Sequence, residues 1–147
     1  MKIAVKYGIY VTAAIVAWLA LKHFVLHFDP GKAAPFDLIV FNLAAVLGVL
    51  FGIRDRRRIS GGALFFSQGI KTGMSIVVTY TVLTSLYFAL ELLAFGTQYL
   101  QQESGAGTQP TGPMVAKAFA GLILGFLLMG LIYSVLISLV LKSRVAR

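Results

Sequence analysis

Four runs of apolar residues, each long enough to cross a bilayer, limit what this chain can become. They fall at about 7–26, 35–53, 72–95 and 114–141. In hydrocarbon every backbone N–H and C=O must be satisfied within the protein, so runs of ~20 apolar residues cross as helices. Four such crossings use most of the 147 residues. The expectation is one transmembrane domain over 1–147: an all-α, integral membrane four-helix bundle.

Composition agrees. Charged residues make up 12% of the chain, about half the share of a soluble domain. Cys is absent, which removes disulfides, thiolate metal sites and a Cys nucleophile. Span one is the segment a signal peptide could imitate. A signal peptide has an apolar core of ~7–15 residues and a small-residue cleavage site. Here the run is longer, and His27, Phe28, Asp29, Pro30 and Gly31 follow it. It is read as a membrane helix that stays in the protein.

The charges give the orientation. Lys2, Lys6, Arg54, Arg56, Arg57, Arg58, Lys71, Lys142, Arg144 and Arg147 fall at one set of span ends, with Asp55 the one acid among them, leaving +9. Lys22, Lys32 and Lys117 fall at the other, with Asp29, Asp37, Glu91 and Glu103, leaving −1. The positive-inside rule then places both termini and the arginine loop in the cytoplasm. The distribution explains the net charge of +8 without nucleic acid. Arg54, Arg56, Arg57, Arg58 and Lys71 are expected to meet anionic lipid headgroups, at ~1 kcal/mol per basic residue near the surface.

Local signals set the span ends. Asp29-Pro30-Gly31 reads as a turn, and span two is expected to begin near Pro35, whose fixed φ suits a first helical turn. That helix is expected to run to Ile53 and stop at Arg54-Asp55-Arg56-Arg57-Arg58, with Ser60-Gly61-Gly62 breaking the chain there. The segment from Ala63 to Gly73 is amphipathic. It is expected to lie at the interface, or to extend span three out of the membrane. A helix from Gly62 to Phe95 would be ~50 Å long, beyond the ~30 Å hydrocarbon core, so a bend or an interfacial section near Gly69 to Gly73 is expected. A polar, flexible loop joins spans three and four.

Helix association in lipid depends on close packing through small residues. Span two carries Ala44, Gly48 and Gly52; span four carries Gly121 and Gly125, then Gly130, Ser134 and Ser138. At ~100° per residue Gly130 lies roughly opposite Gly121, giving span four two small-residue faces. One would pack inside the bundle. The other either meets another chain or also packs within one bundle.

Glu91 is the most informative side chain. It lies about a turn from the outer end of span three, with Thr81 and Thr84 on the same face and Lys117 and Lys22 at matching depth. An acid inside the membrane is costly and usually functional. Glu91, Lys117 and Lys22 are read as an ion pair tying helices together; the alternative is a proton or cation site in a polar cavity. His23 and His27 are spaced to chelate a metal with Asp29 or Asp37. Without a clear third ligand they are read as interfacial residues closing span one, and neither metal nor cofactor is expected. Asn42 is expected to donate a hydrogen bond between helices. Trp18 looks too deep for the interfacial belt that Tyr7, Tyr10 and Tyr99 could join.

One stretch carries a resemblance. It runs Gly52-Ile53-Arg54-Asp55-Arg56-Arg57, then Gly61-Gly62-x-Leu64-x-Phe66-x-x-Gly69-Ile70-Lys71-x-Gly73. It resembles the DUF4199 family of small four-span bacterial membrane proteins. Gly61, Gly62, Phe66, Lys71 and Gly73 match that pattern; Phe65 stands where the family often has Ser, and Gly69 where it often has Ala. The resemblance implies a bacterial inner-membrane protein and no particular activity. On physical grounds Phe66 anchors the amphipathic segment, Lys71 snorkels to headgroups and Gly73 permits a bend or a close crossing.

No G-x-S-x-G or H-E-x-x-H motif is present, both His lie at one outer end, and no Asp lies deep. Catalysis needs a nucleophile beside a base, or convergent ligands, so an enzyme is not expected. The expected function is a structural or accessory membrane subunit that homo-oligomerises or joins a larger complex. The alternative is a small oligomeric transporter or channel using Glu91.

Overall fold

The computed structural model describes residues 2–27, 30–96 and 112–142, with the side chains of 30–34 excepted. Asp29, Tyr99, Glu103, Arg144, Arg147 and the loop between the third and fourth spans lie outside the described residues. Four long helices account for nearly all of what is described: α1 (Lys2–Leu21), continued by a π-helical turn (Lys22–Leu26), α2 (Pro30–Ile59), α3 (Phe66–Phe95) and α4 (Gly112–Leu141). Each is long and apolar enough to cross a membrane. The chain is an all-α, multi-pass four-helix bundle.

Consecutive helices run antiparallel. Tyr7 meets Asp55 while Lys22 meets Asp37, and Gly69 and Gly73 lie against Ser138 and Ser134. Around the bundle the order is α1, α2, α4, α3, with α2 also touching α3 across the diagonal. This arrangement gathers Lys2, Lys6, residues 54–58, Lys71 and Lys142 at one end. Lys22, Asp37, Glu91 and Lys117 lie toward the other.

The core is narrow. Val11, Ile15 and Leu19 from α1, Val49 and Ile53 from α2, and Ile76, Val77 and Tyr80 from α3 are buried, with Leu64 closing the basic end. Many large apolar side chains remain outside; Phe24 is 75% exposed and Leu93 83%. Helices that are apolar on every face belong in lipid, which solvates those outward side chains at no cost.

α2 departs from the expectation at both ends: it runs past Ile53 through the basic residues to Ile59. α2 begins at Pro30, and Pro35 lies inside it. Pro30 can open the helix because a first-turn N–H has no intrahelical partner. Pro35 forgoes one backbone bond near the end, where few bonds are at stake. α3 is helical throughout Phe66–Phe95, without a break at Gly69 or Gly73. At ~1.5 Å per residue it is about 45 Å long, so the amphipathic segment extends span three past the ~30 Å hydrocarbon layer. The two glycines serve close packing instead.

The turn between α2 and α3 is a helix stop of defined geometry. Gly62 N–H bonds Arg57 O (3.0 Å) and Gly61 N–H bonds Arg58 O (3.3 Å), with Gly61 at φ 72° and Gly62 at φ 88°. This is the paired closure that glycine permits in the left-handed region. Arg57 Nε adds a bond to Gly62 O (3.0 Å).

Candidate functional site

The helix contacts come first, because they fix every other side chain. A β-carbon placed on Gly69 would lie 2.5 Å from Ser138 Oγ; one on Gly73 would meet Ser134, and one on Gly130 would meet Val77. α3 and α4 thus approach along a seam of glycine against serine or valine. Gly48 lies against Val11 and Gly52 against Ile76, seating α2 on α1 and α3. Gly121 and Gly125 differ: nothing lies within 4 Å of a β-carbon at either. They border a cleft of about 240 Å³ between α2 and α4, whose walls include Phe41, Phe126 and Met129. Of the six expected packing residues, Gly48, Gly52, Gly130 and Ser134 pack inside the bundle and Gly121 and Gly125 face outward.

At the outer end the ionic partners are not those expected. Lys22 Nζ lies 2.8 Å from Asp37 Oδ2, and Trp18 Nε1 donates to Asp37 Oδ1 at 2.7 Å. Lys22 therefore neutralises Asp37, tying α1 to α2. Lys117 is exposed, and among the described residues no ion pair joins it or Lys22 to Glu91. The reading of Glu91, Lys117 and Lys22 as one ion pair is corrected accordingly. Depth along the sequence matched these residues, but it carries no information on angle about each helix axis.

Glu91 Oε1 instead accepts a hydrogen bond from Tyr87 at 2.5 Å, one helical turn away. Its Oε2 is buried without a partner. Thr84, Ser85 and Thr81 continue this row inward along α3, each with a buried hydroxyl that lacks a hydrogen-bond partner. Beside Glu91 a groove of about 500 Å³ separates α3 from the end of α1. There α1 widens into its π-turn and ends on His27 in the left-handed region at φ 45°. A π-turn closing a helix at its C-terminus is an ordinary ending, and no sequence signal announced this one.

His23 borders the groove and its ring meets Phe24 edge-on at 5.2 Å. His27 has left the helix, with Nδ1 3.3 Å from Val25 O. Among the described residues no three His, Cys, Asp or Glu side chains gather as a metal would require. Asn42 does join two helices, but as an acceptor: Tyr133 O–H donates to Oδ1 at 2.5 Å, while Nδ2 donates to Leu38 O within α2.

At the basic end the cluster divides. Arg54, Arg57 and Arg58 border one hollow of about 650 Å³ with Phe51 and Leu141. Arg56 and Lys71 border a second, of about 200 Å³, with Thr72 and Ser75. Asp55 borders the first hollow with the three arginines and also reaches α1, where Lys6 Nζ lies 3.5 Å from Oδ2 and Tyr7 O–H donates to the same oxygen at 3.2 Å. The acid among the arginines is thus engaged within the bundle, and the arginines keep an excess of positive charge.

Fold and charge together define a multi-pass membrane protein of four helices. No family profile, curated protein or solved structure matches the chain.

Proposed function

We propose that this is a small multi-pass protein of a bacterial inner membrane, acting as a structural or accessory subunit that homo-oligomerises or joins a larger complex. The carrying observation is the contrast along α4: Gly130 and Ser134 are packed, while Gly121 and Gly125 stand open beside an apolar cleft. Small residues let helix backbones approach closely in lipid, and this face has room for a further helix. The likeness to the DUF4199 family around residues 52–73 supports the bacterial inner-membrane assignment. The basic hollows would hold anionic headgroups on the cytoplasmic side. Neither nucleic acid nor catalysis enters this reading.

Native mass spectrometry of gently extracted protein tests it. The expected result is a defined oligomer, or a stable complex with another membrane protein, that Gly125→Leu dissociates without unfolding the chain. A lone monomer with no accompanying partner would overturn the reading.

A second reading, a small oligomeric transporter or channel, is favoured by the partnerless oxygen of Glu91 and the unsatisfied hydroxyl row of Thr81, Thr84 and Ser85. Its test is proteoliposome flux, which Glu91→Gln should abolish.

A further inference from the structure

We infer that the groove between the π-turn of α1 and the outer end of α3 binds a lipophilic organic monocation carrying an N–H donor, an amine on an apolar or aromatic body. The argument begins with a missing partner. One oxygen of Glu91 is occupied by Tyr87 and the other is buried and bare. A buried carboxylate oxygen without a hydrogen bond is expensive. The nearby cations do not serve it: Lys22 is held by Asp37, and Lys117 is exposed on α4. Glu91 lines the groove, and a turn of its side chain brings the bare oxygen to a ligand whose charged N–H supplies the donor and the countercharge in one group; bonds of that kind are the strong ones.

The walls select the rest of the ligand. Leu19, Phe24, Leu90 and Phe95 make the groove mostly apolar, with Glu91, His23 and Tyr87 its charged or titratable members. Its volume of about 500 Å³ lies within the ~300–1,000 Å³ typical of small-molecule sites. An aromatic face can also attract a cation from the side. A bare metal ion would find too few ligands, since among the described residues no three acidic, His or Cys side chains converge. The inference concerns binding, and stands apart from whether the chain transports or assembles.

The test uses the full chain in nanodiscs of zwitterionic lipid, so that headgroup charge does not attract the probe. Equilibrium binding is measured for 4-phenylbutylamine, its trimethylammonium analogue and neutral 4-phenylbutanol. The amine should bind at least about tenfold more tightly than the alcohol, with the trimethylammonium between them. Glu91→Gln, which keeps size and can still accept from Tyr87, should abolish that preference. Ala20→Phe narrows the groove while leaving the carboxylate, and should weaken all three probes. Equal binding of amine and alcohol, amine binding indifferent to Glu91→Gln, or no binding to the unaltered chain would each overturn the inference.

Discussion

Lys22 Nζ lies 2.8 Å from Asp37 Oδ2 across the interface of α1 and α2, with side-chain exposures of 12% and 18%. Asp37 also receives the Trp18 indole N–H, so one carboxylate gathers the charge and the donor of two residues from the neighbouring helix. Removing one partner leaves the other charge in a poorly solvated place, which costs on the order of 3 kcal/mol. Asp37→Ala should therefore lower the midpoint of unfolding in detergent, followed by circular dichroism against added denaturing surfactant. The double variant Lys22→Met, Asp37→Leu removes both charges and should recover most of the loss. If the single variant unfolds like the unaltered chain, the pair is not a structural tie.

A second expectation follows from the seam of α3 and α4. At Gly73 an added methyl would meet Ser134, a short side chain on a rigid helix that cannot swing away. Overpacking of this kind costs about 1–3 kcal/mol. Gly73→Ala should lower the unfolding midpoint, and Ser134→Gly added to it should restore the space. Gly125→Ala, with nothing near it, should leave the midpoint where it was. Equal effects at Gly73 and Gly125 would contradict the seam.

The helices were legible in the sequence because lipid sets a simple requirement, a run of apolar residues of sufficient length. The two small-residue faces of α4 were legible for a similar reason, through spacing on a regular helix, though not which of them packs inside. Azimuth was not. Lys22, Lys117 and Glu91 share a depth, yet the structure turns Lys22 onto Asp37 and leaves Glu91 to Tyr87. Nor did Pro30 and Pro35 reveal which of them opens α2, since either suits a first turn. The π-turn after Leu21 gives no signal in composition, because its residues are the same apolar and basic types found elsewhere at span ends.

The divided arginine cluster makes a lipid prediction. Arg54, Arg57 and Arg58 share a hollow with Asp55, which pairs with Lys6, and with apolar Phe51 and Leu141, a setting for a charged headgroup with the start of its chains. Each basic residue near an anionic surface contributes ~1 kcal/mol. Replacing these three by Gln should sharply reduce the anionic lipid that copurifies with the protein, as weighed by native mass spectrometry. Replacing Arg56 and Lys71, which border the smaller hollow, should give a smaller loss. Unchanged lipid content in both variants would remove the headgroup assignment.

Orientation can be tested cleanly because the chain has no cysteine, so a single introduced one reports a single place. Ten of the thirteen basic residues belong to one set of span ends, and the antiparallel helices bring those in the described residues to one end of the bundle. Basic residues resist translocation, so that end is expected in the cytoplasm. In inverted and right-side-out vesicles, a membrane-impermeant maleimide should label Arg56→Cys only where the cytoplasmic face is outward. Gly105→Cys, in the loop between the third and fourth spans, should label with the opposite pattern. Labelling of both from one face would mean that the segment between them does not cross the bilayer, and the packing of α3 against α4 would have to be reconsidered with it.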